Sequence, residues 1–404
     1  MHTTAASFPT PQQIVKHLDR FVHGQRTAKC ALAAAVYEHY LGMAYREREH
    51  QLRLPFGAKH VLMIGPTGCG KTYLVNTLAR YLEVPFSFTS ATGLTEAGYT
   101  GDNVDSMFDS LMAQTKGDVR KAERGIIFVD EIDKIRRQDC GRDVSGEGVQ
   151  AAMLPLLDGS PFVFRTRERA YEFDASRILF ICAGAFVGLA EIVRDRLQDG
   201  CRFGFRAHDR NHEEASDDDR LSRVEAADLE RFGFIPELIG RFASVIGLRT
   251  LAAADLVSIL TDTEDSALSK QTRLFAQHGI ELQVTPGALE EIAVRSIRSR
   301  TNARGAERML IEATRPLNWQ LPELAARGVR QAIIDEAVVR GESEPILKNG
   351  APMDPRAELP ASKLRRDASA LLKTGRLPGP EATRTRTRRR SRPHDDAGQM
   401  RLPF

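Results

Sequence analysis

The chain has 404 residues, 42% apolar and 27% charged, with a formal net charge of +3. Those proportions fit a soluble globular chain of two or three domains, and no apolar run reaches the ~18 residues that span a bilayer. Met1-His2-Thr3-Thr4-Ala5-Ala6 lacks the basic and apolar regions of an export signal, so a cytoplasmic chain with no membrane partner is expected.

The charge is unevenly placed. Residues 361–404 hold 12 Lys+Arg against 4 Asp+Glu, which leaves residues 1–360 with 45 basic against 50 acidic. A slightly acidic body argues against nucleic-acid binding except through the tail, where Arg384 to Arg392 forms a basic run. The five cysteines (30, 69, 140, 182, 201) contain no C-x-x-C pair, so neither a zinc site nor a disulfide framework is expected.

In chain order, residues 9–54 read as a helical lead-in. Ile14, Val15, Leu18 and Phe21 share a face, and Ala28 to Tyr40 is Ala-rich. Residues 55–185 alternate strand-like runs (His60–Ile64, Pro85–Thr89, Gly125–Val129, Arg177–Ala183) with helical stretches. That alternation predicts an α/β fold, a parallel sheet flanked by helices. Residues 209–220 form a polar break read as a loop. Ala253 to Gln320 is mostly helical, and Gln331–Val339 reads as one strand. The expected division is a helical segment 1–54, a large domain 55–247, a smaller, mostly helical domain 248–345 and a disordered basic tail 346–404.

Gly65-Pro66-Thr67-Gly68-Cys69-Gly70-Lys71-Thr72 matches G-x-x-x-x-G-K-[ST], the phosphate-binding loop. Glycines at 65, 68 and 70 let backbone N–H groups turn toward a phosphate chain. Lys71 supplies a cation for the β- and γ-phosphates. Thr72 offers a hydroxyl to Mg²⁺ and opens a helix whose amino end favours an anion. Gly125 to Val129 is an apolar strand ending in Asp130-Glu131, 59 positions beyond Lys71. Asp130 is placed to hold Mg²⁺ through water, and Glu131 to orient the water that attacks the γ-phosphate. A second apolar run ending in Asp335-Glu336 imitates this pattern but follows polar Arg330-Gln331 and runs on into Ala337-Val338-Val339, so it reads as an ordinary strand.

Further motifs carry a resemblance: Leu94 to Gly101 (Leu-Thr-Glu-Ala-Gly-Tyr-Thr-Gly), Asp130 to Lys134, Arg142 to Gln150, Phe234 to Phe242, Ala303-Arg304-Gly305, and Pro9-Thr10-Pro11 with Val22-His23-Gly24-Gln25. Together, over roughly residues 8–345, the chain resembles ClpX, the AAA+ protein unfoldases of the Clp family. The resemblance implies an ATPase that uses ATP and Mg²⁺, a homo-oligomeric, hexameric ring, and unfolded or tagged proteins as substrates. Tyr99, between glycines, resembles the pore residue that grips a threaded polypeptide through apolar contact, and Arg142 a second pore-loop position. Arg241 resembles the arginine finger given to a neighbouring subunit, and Arg304 the sensor arginine of the small domain. Val22 and His23 take the adenine-pocket positions, where the family usually has two aliphatics. Phe203-Gly204-Phe205 lies where the family carries the loop that docks on a ClpP-like peptidase.

The chain also departs from the family. The N-terminal zinc-binding domain is expected to be missing. Ser160–Phe173 lacks the Arg-Lys-His pore-entrance loop but keeps Arg165, Arg167 and Arg169. Cys182 and Ala183 offer no strong polar sensor. A related unfoldase, HslU, carries a large insertion between its pore loop and Asp-Glu strand, and here only 28 residues separate Gly101 from Asp130. A nucleic-acid remodelling motor or clamp-loader-like ATPase on the same fold is the alternative, kept open by the arginine-rich tail.

Overall fold

The computed structural model describes residues 8–48, 60–95, 102–137, 146–165, 170–202 and 216–350. It divides into two compact units, Met1–Thr250 and Leu251–Phe404.

Among the described residues the first unit has nine strands: β1 (His60–Ile64), β2 (Phe86–Ser90), β3 (Leu94–Thr95), β4 (Asp102–Asn103), β5 (Ile126–Asp130), β6 (Pro161–Arg165), β7 (Ala170–Asp174), β8 (Leu179–Gly184) and β9 (Phe242–Gly247). Five of them form an all-parallel sheet in the order β2-β5-β8-β1-β9. β1 and β8 are buried along their whole length, which is why both read as unbroken apolar runs.

Successive side chains of these strands go to opposite layers. Leu62, Ile64, Ile127, Val129, Phe180 and Cys182 join one core with Met107, Leu111, Met153 and Leu189. Val61, Met63, Ile126, Phe128, Ile181 and Ala183 join the other, with Ile14, Leu18, Leu32, Val36, Leu74 and Leu78. Helices Pro11–Phe21 and Arg26–Arg48 therefore form part of one layer of this unit rather than a separate body. The first begins with a capping box, in which Thr10 and Gln13 each bond the other's backbone N–H and Pro11 occupies the first turn.

Several elements were not legible in the sequence. β9 is an edge strand that buries Phe242 and Ile246 but exposes most of its other residues, and Ser244 interrupts its short apolar stretch. β6 and β7 form an antiparallel hairpin, with Arg165 at its tip end and Arg167 and Arg169 outside the described residues. The second half of the expected 209–220 loop is helical instead. Ser216 caps helix Asp217–Leu221 through the Asp219 N–H, and Asp218 accepts from the Thr250 N–H.

In the second unit, helices Ala253–Thr261, Ala267–Gln277, Pro286–Arg298 and Asn302–Ala326 pack with a three-stranded sheet. It consists of β10 (Glu281–Val284), β11 (Val329–Ile334) and β12 (Ile346–Asn349) around Leu260, Phe275, Leu282, Ile292, Leu310, Leu317 and Ala332. Two expectations are corrected here. The predicted strand 331–339 stops at Ile334, because Asp335 accepts the Val338 N–H and caps a short helix, Glu336–Arg340. Residues 346–349, assigned to the tail, instead form β12, which pairs antiparallel with β11 through Asn349. The basic run 384–392 lies outside the described residues.

Candidate active site

The phosphate loop follows β1, at the carboxyl end of the sheet. Gly65 donates its N–H to the Gly184 carbonyl at the end of β8, and Leu248 donates to Ile64, so the loop's root is held on both sides. Gly70, at φ +97°, stands immediately before helix Lys71–Leu82, and open space surrounds the position a Cβ would take. Only glycine adopts that backbone easily, and the space leaves the helix's first N–H groups facing an open cradle with no side-chain cap. That is the arrangement an anion requires. Pro66 and Gly68 are half-buried and Thr67 is exposed. Cys69 is buried, and burial pushes its thiol up, so it is a protonated spacer rather than a nucleophile.

The Lys71 ammonium is buried and donates to the carbonyl oxygens of Gly65 at 2.6 Å and Pro66 at 3.0 Å. A buried cation needs such partners, and phosphate oxygens are stronger ones than neutral carbonyls. The Thr72 hydroxyl donates to Asp130 Oδ2 at 2.9 Å. The β1–β8 and β8–β5 pairings bring these two residues together, since they align Ile64 with Gly184 and Cys182 with Val129. Two hard oxygens side by side next to a phosphate cradle form a donor set suited to Mg²⁺.

Glu131 follows, in a left-handed conformation at φ +57° that bends the chain sharply out of β5. Its carboxylate is taken up by two hydroxyls the sequence reading missed. Ser90 donates to Oε2 at 3.0 Å and Thr92 at 3.3 Å. Both stand at the end of β2, the neighbour of β5, where Ser90 pairs with Asp130. Only the strand order brings them to Glu131. Nearby, buried Asp133 accepts the Ala185 N–H at 3.1 Å, tying the turn after β5 to that after β8.

Val22 and His23 lie in the turn between the first two helices, Val22 buried and His23 half-buried. Gln25 exchanges two hydrogen bonds with the backbone of Arg249, at 2.8 and 3.0 Å. The Lys29 ammonium, buried, bonds the Val22 carbonyl at 2.5 Å and Asp19 at 2.7 Å. This turn is thus fixed against the segment that leaves β9, beside the root of the phosphate loop.

Arg241 lies at the other end of the sheet. It immediately precedes Phe242, which aligns with His60 at the start of β1, whereas the loop follows Ile64. At about 3.3 Å per residue, that separates it from its own loop by roughly 16 Å along the strand. It is exposed and ion-paired through Nε to Asp158. Arg304 belongs to the second unit, exposed in the first turn of helix Asn302–Ala326. A cation there opposes the helix dipole, so local helix stability does not explain it. Tyr99, Arg142 and Phe203-Gly204-Phe205 lie outside the described residues.

An open phosphate cradle at the carboxyl end of a five-stranded parallel sheet, with a threonine, an aspartate and a glutamate beside it, defines an AAA+ P-loop ATPase. The model of the AAA domain (Cdc48 subfamily) matches residues 58–245. Curated relatives sharpen the class. The chain is 38% identical to the ATP-dependent Clp protease ATP-binding subunit ClpX 3 of Methylococcus capsulatus, covering 83% of this chain and 81% of that one. It is 40% identical to the ATP-binding subunit ClpX of Azotobacter vinelandii, over 79% and 76%. The chain belongs to the ClpX family of AAA+ ATPases. It is a ClpX-type ATP-dependent unfoldase, and the family resemblance read from its motifs holds. Among the described residues no helix is long and apolar enough to cross a membrane.

Proposed function

We propose that each ATP site is completed by two copies of the chain in a ring: Lys71, Thr72, Asp130 and Glu131 from one, and Arg241 from the next. The position of Arg241 carries this reading. It sits at the far end of the sheet from its own phosphate loop and on the surface, where a neighbour's site can receive it. The ring is proposed to be hexameric, as in the family, and to work in the cytoplasm.

The residues divide the work. Val22 and His23 line the base end of the nucleotide pocket, and Gly65 to Gly70 wrap the phosphates. Lys71 exchanges its two carbonyl partners for β- and γ-phosphate oxygens. Thr72 and Asp130 hold Mg²⁺, Asp130 through water. Bound ATP would supply the transferable phosphoryl group, and Mg²⁺ held by Thr72 and Asp130 would offset the charge that develops on it. Glu131 accepts a proton of the attacking water and orients it, once Ser90 and Thr92 release Oε2. Arg241 of the adjacent copy places a planar cation on the γ-phosphate as charge develops. Arg304 reports the phosphate state to the second unit.

That cycle drives Tyr99 and the Arg142 loop against a threaded polypeptide. Phe203-Gly204-Phe205 docks the ring on a ClpP-like peptidase. Two aromatics so close together in the sequence suit burial against a partner surface.

The test mixes purified protein, ATP, a fluorescent protein bearing an unstructured tag, and a ClpP-type peptidase. The expected result is ATP-dependent loss of fluorescence followed by proteolysis, with Tyr99→Ala retaining ATP turnover but leaving fluorescence intact. ATP turnover stimulated by DNA and not by unfolded protein would overturn this reading in favour of a nucleic-acid motor.

A further inference from the structure

A group that stabilises a transition state must be aimed before the reaction, because ordering it afterwards costs the rate it is meant to supply. Arginine is a long side chain with much rotamer freedom, so an exposed arginine needs something to fix it. Arg241 has Asp158, whose carboxylate meets Nε. The pair is 43% and 37% exposed, and ion pairs that open to water add little to stability. Its value to the fold is therefore small, while its effect on where the guanidinium points is direct.

Asp158 is itself held. It follows helix Gly146–Leu157, donating its N–H to the Leu154 carbonyl at 2.8 Å. His60, fully buried at the start of β1, donates from Nε2 to the Leu157 carbonyl at 2.8 Å, and its Nδ1 accepts the Phe180 N–H at 3.3 Å. Two turns earlier on the same helix, Gln150 is also fully buried. Its amide nitrogen donates to the Ile135 carbonyl at 2.7 Å and the Gly233 carbonyl at 3.2 Å, and its oxygen accepts the Ile235 N–H at 2.9 Å. Gly233 lies so close to Arg137 that an added Cβ would stand 2.8 Å from the Arg137 oxygen. Ile235 leads through the single turn Pro236–Ile239 directly into Arg241. The helix thus grips the segment carrying Arg241 at its start, through Gln150, and at its end, through Asp158.

We infer that helix Gly146–Leu157 and Asp158 form a bracket that aims Arg241 into the neighbouring copy's ATP site. Asp158 is a positioning residue for hydrolysis in that site and does not touch the nucleotide. The inference rests on the reading of Arg241 given above.

A double-mutant cycle on full-length protein, read by steady-state ATP turnover, tests it. Asp158→Asn is expected to lower kcat about tenfold, the scale of a misaimed catalytic group, with KM for ATP unchanged because the binding residues belong to the other copy. Asp158→Glu, which keeps the charge, restores most of that loss. In an Arg241→Ala background Asp158→Asn has no further effect, since nothing remains to be aimed. Thermal melting of Asp158→Asn stays within about 2 °C of wild type, as for an exposed pair. Wild-type kcat in Asp158→Asn overturns the bracket, and so does the same tenfold loss with Arg241 already removed. Wild-type turnover in Arg241→Ala would instead overturn the two-copy site itself, and the bracket with it.

Discussion

The two ends of the central sheet are built on different plans. At the carboxyl end, β1, β2 and β5 lead to Lys71, Thr72, Ser90, Asp130 and Glu131; Thr72 donates to Asp130 and Ser90 to Glu131, while Lys71 donates to the carbonyls of its own loop. At the amino end, Arg241 stands alone among charged catalytic candidates, with an acid beside it and a helix bracing its approach. Among the described site residues the carboxyl end offers one buried cation, Lys71, and the amino end an exposed one, Arg241, far from its own phosphate loop. On the reading proposed above, the difference means that one copy carries two half-sites, each completed by a different neighbour.

Breaking the amino end is expected to have the largest effect. Arg241→Ala should lower ATP turnover by about 10³-fold or more, the range of arginine fingers supplied by a partner, while nucleotide binding measured by fluorescence persists. Turnover within a few-fold of wild type would remove Arg241 from the site. At the carboxyl end, Glu131→Gln should lower turnover by at least about 10²-fold, as expected for loss of a general base. Because Lys71 and the Thr72–Asp130 pair are untouched, its ATP affinity should stay near wild type, and a parallel loss of affinity would mean that Glu131 binds rather than activates.

Between the two ends stands Gln150. Gln150→Ala removes the side-chain partners of the Ile135 carbonyl and the Ile235 N–H, while the Gly233 carbonyl keeps the Arg137 N–H. About 1–3 kcal/mol of stability should be lost, read from chemical denaturation. An unchanged midpoint would show that the segment leading to Arg241 is not held there.

The smallest effect near neutral pH comes from His39 and His60. Burial lowers both pKa values from 6.5 to about 4. Both rings are neutral in the folded chain, while in the unfolded chain they bind protons near pH 6.5. Their contribution is therefore full above about 6.5 and lost as pH falls toward 4, because the unfolded state then binds more protons. Denaturation midpoints should fall over that window, and His60→Gln should flatten the slope. A flat profile in wild type would contradict the burial of both rings.

How much of this was legible depended on whether the information was local. The phosphate loop and the Asp130-Glu131 strand are contiguous, and their backbone needs are written in glycines and apolar residues. The false Asp335-Glu336 signature was correctly set aside, but the cap formed by Asp335 ended its strand sooner than apolar Ala337-Val338-Val339 suggested. Ser90 and Thr92 could not be found from sequence, since nothing near them in the chain marks them; they matter because β2 lies beside β5. Gln150 and Asp158 were hidden for the same reason. Each acts on residues more than 80 positions away. Arg241 was legible only through the run Phe234 to Phe242. Its place at the amino end of the sheet came from β9, an edge strand too exposed to announce itself.

The central claim, an ATP site shared between copies, is tested most directly by subunit complementation. Glu131→Gln and Arg241→Ala proteins, each nearly inactive alone, are denatured, mixed in equal amounts and reassembled. A mixed ring places an intact Lys71–Asp130–Glu131 set beside an intact Arg241 from its neighbour, so the account predicts that ATP turnover returns to a sizeable fraction of wild type. A mixture no more active than its two parents, in rings shown to contain both, would contradict it.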